Sequence, residues 1–250
     1  MTILIKYPRQ TKKSNKVFFE KKDQELTNLD WSKWGGWWDT DGRCGCRPDG
    51  GRECELELKD KEPVELFSKI FECGLYSREQ KSTTPERGGI PGKNYITTLF
   101  SSVLSGEKAK WFAKNVYPFL LKQEKKDFAA KLLGYKPKSK DPADWTPEEV
   151  KNYIATAMDG DGTYTLGIYK MKYNSIQGAL CSNDIQYLSD VQNLIRDKLK
   201  VPSGLNKKGH NEYETQEGTK IMYRLRTYGS WKKNISFFQD LVDHMTLDRK

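Results

Sequence analysis

Two short acidic motifs contain the side chains of this sequence that are best suited to chemistry. Residues 39–42 read Asp-Thr-Asp-Gly and residues 159–162 read Asp-Gly-Asp-Gly, and each motif follows a run of apolar and small residues. Carboxylate oxygens are the ligands that hard divalent cations such as Mg²⁺ and Ca²⁺ prefer. A single Asp-x-Asp-Gly is also common in ordinary turns. The duplication and the surroundings of each copy therefore decide how the motif is interpreted.

Each acidic motif is predicted to close a helix. Thr146, Pro147 and Glu149 form a helix-start signature, with a capping threonine, proline at the first helical position and glutamate at the third. Apolar residues then recur at helical spacing, and a glycine ends the segment. Three tryptophans before the first motif share one helical face: Trp31, Trp34 and Trp38.

The pattern after each motif changes to the alternation of β-strands and then returns to a helical period. In the second copy the residues of one strand face are Tyr164, Leu166 and Ile168. The next helix has the same residue offsets in both copies: Asp60, Val64, Phe67 and Ile70 match Asp184, Leu188, Val191 and Leu194. A second strand pair and a final helix, from about residues 107 and 231, close each copy. Each copy is therefore predicted to run helix, two strands, helix, two strands, helix.

This duplicated arrangement resembles the single-chain, two-repeat LAGLIDADG homing endonucleases, from about residue 26 to residue 250. The resemblance implies an α+β fold of two pseudo-twofold-related αββαββα repeats, each with a twisted antiparallel sheet, the sheets together forming a saddle on DNA. The predicted segments are a basic N-terminal extension (1–24), repeat one (25–134), a linker (135–145) and repeat two (146–250). The first copy departs from the family motif in its tryptophans, and the second has Thr156 where the family prefers glycine.

The resemblance implies one active site at the ends of two helices that pack side by side. The helices would approach through small residues: Gly35, Gly36, Ala155 and Ala157. Asp41 and Asp161 would then meet and hold Mg²⁺, with Mn²⁺ as a substitute, and the carbonyls of Thr40 and Gly160 would be added ligands. The implied reaction is a metal-dependent, staggered double-strand break in a long DNA site.

The family also places a basic residue near this site, after a Pro-x-Leu pattern. The segment Tyr-Pro-Phe-Leu-Leu-Lys that ends at Lys122 fits this pattern, although its lysine comes one position early. In the second copy the degenerate counterpart contains Arg249 and Lys250, and Lys250 is taken as the candidate catalytic residue. Solvated lysines are an equally good interpretation of both. The first acidic residue of each motif, Asp39 or Asp159, is expected to serve helix termination or structure.

The charge of the chain suits a polyanionic partner. Lysine and arginine outnumber aspartate and glutamate by 43 to 34, a net charge of +9, although many basic proteins bind no nucleic acid. Three basic residues share one face of a predicted strand: Lys220, Arg224 and Arg226. Further candidates for contact with double-stranded DNA are Arg43, Arg47, Arg78 and Gln177.

An acidic strand face opposes this interpretation of the first copy. Its members are Glu53, Glu55 and Glu57. These residues either accept hydrogen bonds from cytosine amino groups or pair with the nearby arginines Arg43, Arg47 and Arg52. The sequence leaves both interpretations open.

Composition excludes several other classes of protein. With 36% hydrophobic residues the chain is globular, and it contains neither an apolar run long enough to span a membrane nor a secretory signal. The five cysteines are expected to be reduced thiols, and three of them, Cys44, Cys46 and Cys54, lack a fourth zinc ligand at suitable spacing. The protein is expected to be a monomer. The sequence does not determine its location, which could be an organelle, a phage-infected cell or prokaryotic cytoplasm.

Two alternative functions remain open on the same scaffold. One is an RNA-binding intron maturase, whose partner would be intron RNA, and the other is a DNA-binding protein that has lost activity. The presence of both acidic motifs favours an active nuclease. The basic residues 1–24 are interpreted as an arm on the DNA backbone or as a solvated tail.

Overall fold

The structure is a computed structural model that describes residues 2–7, 12–47, 50–82, 95–169, 173–215, 218–228 and 231–246. The chain forms two halves of similar construction, residues 2–134 and 146–246, which are joined by residues 135–145. Within the described ranges no helix is both long enough and apolar enough to cross a membrane.

The first half contains five strands and five helices among its described residues. In chain order they are β1 (Thr2–Ile5), α1 (Lys12–Glu25), α2 (Asn28–Thr40), β2 (Gly42–Cys46), β3 (Arg52–Leu58), α3 (Lys61–Phe71), β4 (Leu75–Ser82), β5 (Tyr95–Ser105), α4 (Gly106–Val116) and α5 (Gln123–Leu133). The strands form one sheet, called here the first sheet, in the order β1-β4-β5-β3-β2. Every paired neighbour in this sheet is antiparallel.

The second half repeats most of this plan. Its elements are α6 (Pro147–Asp161), β6 (Gly162–Tyr169), β7 (Tyr173–Ser182), α7 (Ile185–Lys198), β8 (Ser203–Thr215), β9 (Gly218–Thr227) and α8 (Trp231–Val242). The strands form the second sheet, which is also antiparallel, in the order β6-β7-β9-β8.

The predicted fold class is confirmed, because both halves run helix, two strands, helix, two strands, helix. The spatial order β2-β3-β5-β4 of the first sheet matches the order β6-β7-β9-β8 of the second. The first half adds three elements to the predicted plan, namely β1 and α1 before the first motif and α5 after the final helix. We refer to α2 and α6, which end at the acidic motifs, as the motif helices.

Local hydrogen bonds explain where the motif helices begin. The Thr146 hydroxyl accepts from the Glu149 N–H (3.2 Å), and the Glu149 carboxylate accepts from the Thr146 N–H (2.7 Å), as the predicted capping signature requires. At the start of α2, Asp30 accepts from the Thr27 N–H (2.9 Å) and from its hydroxyl (2.8 Å). A cap of this kind stabilises a helix by about 1 kcal/mol.

The core of the first half is a cluster of aromatic rings. The predicted tryptophan face of α2 packs against phenylalanines of α3 and α4, and the members of the cluster are Trp31, Trp34, Trp38, Phe67, Phe71 and Phe112. Most of these rings meet edge to face or tilted, with centroid separations such as 5.3 Å for Trp34 and Phe67 and 4.3 Å for Trp38 and Phe112. Aromatic pairs in such geometries stabilise a core by about 1 kcal/mol beyond the area they bury.

The helix α1 of the N-terminal extension packs onto the first half. Phe18 and Phe19 of α1 pack on Trp111 of α4, with centroid separations of 5.7 and 5.6 Å. The Trp111 indole N–H donates to the Asp23 carboxylate (2.9 Å). Residues 12–25 are therefore a packed helix that shields part of α4, held there by both ring contacts and a hydrogen bond from Trp111 to Asp23.

The segment between the halves is fixed by its last residue. Trp145 is 1% exposed, and its ring lies 5.4 Å from that of Phe119 and 5.2 Å from that of Tyr153, centroid to centroid. Tyr135, at the other end, is half exposed, as the prediction of an exposed connection requires. The buried indole belongs to the core that the two halves share.

Candidate active site and nucleic-acid face

The two motif helices touch along a line of small residues. A Cβ atom on Gly36 would overlap the Tyr153 carbonyl and the Thr156 hydroxyl of α6, so only glycine permits this approach. The Thr156 hydroxyl donates to the Lys33 carbonyl of α2 (2.8 Å). Thr156, the predicted departure from the family motif, therefore adds a hydrogen bond between the helices in place of closer backbone contact.

The prediction that Gly35 also lies between the motif helices is wrong. A Cβ atom on Gly35 would meet the backbone and Cβ of Phe119, with its nearest atom, the Phe119 carbonyl oxygen, 2.6 Å away. Phe119 lies in the short turn between α4 and α5. The missing side chain of Gly35 therefore lets the segment that leads to Lys122 pack against α2, whereas that of Gly36 lets α6 pack against α2.

The acidic ends of the motif helices converge. Asp41 caps the C-terminus of α2, and Asp161 is the last residue of α6. A Cβ atom on Gly160 would overlap both the Asp41 carboxylate and the Thr40 hydroxyl, so these side chains lie directly against the backbone that precedes Asp161. Residues far apart in sequence thus meet at one end of the helix pair.

A lysine from the end of the first half completes this cluster. Lys122 Nζ lies 4.0 Å from Asp161 Oδ2, and the Lys122 side chain is 12% exposed whereas that of Asp161 is 39% exposed. The same ammonium group lies 4.7 Å from the centroid of the Tyr187 ring. Lys122, predicted only from a pattern in the first half, is therefore placed beside the acidic residue of the second half.

Asp39 fixes the backbone that carries Lys122. Its buried carboxylate accepts from the N–H groups of Leu121 (2.6 Å) and Lys122 (3.2 Å) and from the Tyr153 hydroxyl (2.5 Å). Burial raises the pKa of Asp39 to about 6, although the hydrogen bonds from Tyr153 and Leu121 act in the opposite direction. Asp39 therefore ties the motif of the first half to the segment that carries Lys122.

The second half has a matching tie. Asp159 accepts from the Thr246 N–H (2.7 Å), just as Asp39 accepts from Leu121. This contact aligns Thr246 with Leu121, so that Leu247 corresponds in sequence to Lys122 and Lys250 corresponds to Lys125. Lys250 itself, the second candidate basic residue, lies outside the described residues.

Each first aspartate also meets a polar residue of the opposite motif helix. Tyr153, six residues before Asp159, donates to Asp39. Lys33, six residues before Asp39, interacts electrostatically with Asp159. Burial lowers the pKa of Lys33, and the charges of Asp159 and Asp30 oppose that shift. Neither Tyr153 nor Lys33 was identified from the sequence, because no local pattern indicates a contact between repeats.

A further lysine near the site was also missed. Lys125 Nζ donates to the Gly42 carbonyl (2.5 Å), directly after the first motif. Burial lowers the pKa of Lys125 and the charge of Lys122 acts in the same direction, whereas the carboxylates of Asp39 and Asp41 oppose the shift. The sequence does contain a signal for it, since Lys125 follows Lys122 by three residues and lies in the first turn of the helix that Lys122 precedes.

The oxygen atoms at this site suit a hard cation. In the described part of the chain no three acidic, histidine or cysteine side chains converge as a metal cage. Two aspartates with added carbonyls fit Mg²⁺, because that ion retains several waters and needs few protein ligands. The Thr40 hydroxyl is shared between the carbonyls of Gly36 and Trp37 (3.1 Å each), so it donates within its own helix.

The outward face of the second sheet carries three of the predicted basic or polar residues. Leu225 and Thr227 of β9 are buried against the helices, so Arg224 and Arg226 point to the other side. Ala179 of β7 pairs with Arg226 and therefore shares its face of the sheet. Gln177, two residues before Ala179 on β7, lies on the same outward face. Lys220, earlier on β9, is partly exposed.

The first sheet also points its predicted residues outward, but there each arginine is paired. The ion pairs are Arg43–Glu55, Arg47–Glu53 and Arg78–Glu57. The glutamates thus pair with arginines of neighbouring strands, and the partner of Glu57 is Arg78, which was not among the pairing arginines expected from the sequence. Of the cysteines on the adjoining strands, Cys44 and Cys54 are buried and Cys46 is exposed.

No family model and no curated protein sequence matches this chain. Its structure is similar to that of the homing endonuclease I-WcaI bound to its DNA recognition sequence, with a TM-score of 0.53 and 12% identity over 98% of this chain and 93% of that one. The LAGLIDADG meganuclease I-AabMI bound to uncleaved DNA has a TM-score of 0.47 at 10% identity, over 89% of this chain and 85% of that one. The predicted resemblance is confirmed as a likeness of fold.

Proposed function

We propose that this chain, which has the fold of the LAGLIDADG homing endonucleases, is a site-specific endonuclease that makes a staggered double-strand break in a long DNA target. One observation carries the proposal: Asp41 lies against Gly160, beside Asp161, and Lys122 Nζ is 4.0 Å from Asp161. Two carboxylates that can hold a divalent metal, with a lysine beside them, suit metal-dependent phosphodiester hydrolysis. The likeness to I-WcaI, a homing endonuclease bound to its DNA recognition sequence, supports DNA as the partner.

The residues have distinct roles in this proposal. Asp41 and Asp161 would hold Mg²⁺ together with the carbonyls of Thr40 and Gly160, and Mn²⁺ would substitute because it prefers the same oxygen ligands. When bound there, the metal would supply the positive charge that activates water and stabilises the leaving oxygen. Lys122 would add a fixed positive charge beside Asp161, where a phosphate oxygen of the substrate would lie.

The two sheets would bind the DNA on their outward faces. An antiparallel sheet with one face on helices leaves the other free for the major groove. The candidate contact residues of the second sheet are Gln177, Lys220, Arg224 and Arg226, and those of the first are Arg43, Arg47 and Arg78. One chain has both halves of the site, so the protein would act as a monomer.

The test begins with selection of a bound site from randomised duplex DNA in the presence of chelator. A supercoiled plasmid that carries the selected site is then incubated with Mg²⁺ or with chelator. We expect linear product only with Mg²⁺. Asp41→Asn or Asp161→Asn should slow its formation by at least about a hundredfold, about 2.7 kcal/mol of transition-state stabilisation, while binding persists.

Asp240→Asn is the matched control, because Asp240 is an exposed aspartate of α8, away from the motifs. This variant should cut as the wild type does. Full cutting by either motif variant would contradict the metal assignment. Binding of DNA without any metal-dependent cutting would identify a DNA-binding protein that lacks activity, and preference for structured RNA would identify a maturase.

A further inference from the structure

Three ion pairs form a row on the outward face of the first sheet, and we call them the Arg–Glu ladder. The pairs are Arg43 with Glu55, Arg47 with Glu53, and Arg78 with Glu57. Arg78 binds both oxygens of Glu57, through Nη2 (2.7 Å) and Nε (2.9 Å). Arg43 lies directly opposite Glu55 in the strand register, and its Nε is 2.8 Å from Glu55 Oε2.

The glutamates of the ladder lie beneath the arginines. The Glu55 side chain is 9% exposed whereas that of Arg43 is 66% exposed. The same order holds for Glu57 and Arg78, at 23% and 49%. Arg43 and Arg78 each use Nε and Nη2 for their glutamate, so the Nη1–Nη2 edge of each guanidinium group keeps donors for another partner, and the three ion pairs together carry no net charge.

The second sheet presents a different surface. Arg224 and Arg226 form no ion pair with any side chain that the structure describes, and the Arg224 Nε group donates to the Cys181 sulfur (3.4 Å). Unpaired arginines attract the phosphate backbone whatever the sequence of the DNA. The neutralised ladder gains little from phosphates, so its contribution to binding must come from the bases.

The ladder and a G·C base pair have complementary groups. In the major groove guanine offers two adjacent acceptors, N7 and O6, which match the fork of an arginine, and cytosine offers an amino donor, which matches a carboxylate. An A·T pair has no two adjacent acceptors on one base, and its thymine methyl would meet a buried carboxylate at a cost in solvation.

We propose that the Arg–Glu ladder selects G·C base pairs in the part of the target beneath the first sheet. This inference rests on the proposed function, since it requires duplex DNA on that face. The three glutamates alternate along β3, and each step of two residues advances about 6.8 Å, which is about two base-pair steps of 3.4 Å. The selected pairs should therefore recur at roughly every second position.

The experiment is selection of bound sites from randomised duplex DNA in chelator, with sequencing of the bound pool. Wild-type protein is expected to enrich G·C pairs on one side of its site. Glu55→Gln should reduce the preference at one of these positions by about tenfold and should raise affinity for random duplex DNA, because one carboxylate no longer repels phosphates. Glu57→Gln should do the same at a different position.

Glu65→Gln is the matched control. Glu65 pairs with Lys61 and Lys69 on α3, on the helical side of the same sheet, so its removal changes the net charge equally without touching the outward face. It should leave the preference unchanged. Circular dichroism and thermal unfolding check that each variant is folded.

The outcomes separate this inference from the proposed function. A wild-type site rich in A·T beneath the first sheet, or unchanged preference in both Glu55→Gln and Glu57→Gln, overturns the ladder as a specificity device and leaves the nuclease proposal standing. Failure of the wild type to select any duplex overturns both.

Discussion

The two motif helices pack in different ways although they end in the same acidic motif. On one side α2 buries Trp34 and Trp38 among phenylalanines of its own half, whereas α6 buries the smaller Ile154 and Ala157. Both halves share one polar contact. The first aspartate of each motif, Asp39 or Asp159, accepts a hydrogen bond from a backbone N–H that follows α4 or α8. The comparison indicates that the ends of the helices, and not their apolar faces, are what both repeats need to keep.

The charged surfaces of the two halves differ as well. The first sheet neutralises each predicted DNA-contacting arginine with a glutamate, and the second presents Arg224 and Arg226 without such partners among the described residues. We therefore expect the second sheet to contribute charge-driven affinity for DNA and the first sheet to contribute base selection.

The largest effect is expected where the two halves meet. Gly36→Ala should lower the free energy of unfolding by about 3 kcal/mol, because the new Cβ would overlap a main-chain carbonyl of the opposite helix. Thr156→Gly in the same chain should restore part of the loss, since it removes one of the two overlapping atoms. Chemical denaturation measures both.

Gly45→Ala is the control for this pair, because nothing lies within 4 Å of a Cβ on Gly45. Its effect should stay within about 0.5 kcal/mol. Equal stability of Gly36→Ala and Gly45→Ala would show that the helices do not meet at Gly36.

A smaller effect is expected at Lys122, which lies near Asp161 of the other half. Lys122→Met should slow the cutting of one DNA strand by about tenfold relative to the other, because the residue that corresponds in sequence to Lys122 in the second half is the uncharged Leu247. Nicked plasmid should therefore accumulate. End-labelled strands measure the two rates separately.

Lys131→Met, an exposed change on the same helix α5, should leave both rates unaltered. An equal loss on the two strands after Lys122→Met would refute the asymmetry and would indicate that this lysine serves both cuts.

The smallest effect concerns a lysine that the N-terminal helix covers. Burial lowers the pKa of Lys108 to about 8 from 10.5, and its ammonium group lies 3.8 Å from the centroid of the Phe18 ring. Between these two pH values the unfolded chain binds more protons at this group than the folded chain does. The stability of the wild type relative to Lys108→Met should therefore rise with pH across that window, by on the order of 1 kcal/mol for a partly screened group.

Thermal unfolding at pH 7 to 11 checks this expectation. Phe18→Ala is the companion variant, because it opens the cover over Lys108 and should make the pH effect smaller. A stability difference that is constant from pH 8 to pH 10.5 would contradict the burial of this ammonium group by α1.

Most of the fold could be predicted because its signals are local. The cap of Thr146 and Glu149 involves residues three apart, and the Asp60 and Asp184 helix starts recur at the same offsets. The packing of α1 could not be predicted, because Phe18 and Phe19 contact Trp111, which is far away in the sequence, and no local pattern indicates that contact. Apolar packing determines where such a helix lies.

The candidate site could be predicted only in part. The motif aspartates follow from the duplication, but the approach of Lys122 to Asp161 and the bond from Tyr153 to Asp39 cross between the halves. Such contacts depend on how two helices are rotated about each other, and no periodicity within one repeat determines that angle. Gly35 was misassigned for the same reason, since a glycine pair does not reveal which glycine faces which neighbour.

The short strand β1 has a consequence for how molecules of this protein meet each other. It pairs with the outer side of β4 at Leu75, Tyr76 and Ser77, so the first part of that strand edge is already covered within the chain. An uncovered sheet edge can add strands from another molecule and so begin aggregation. Removal of residues 1–11 would open this edge of β4, and the shortened protein would associate at concentrations at which the full chain stays dispersed.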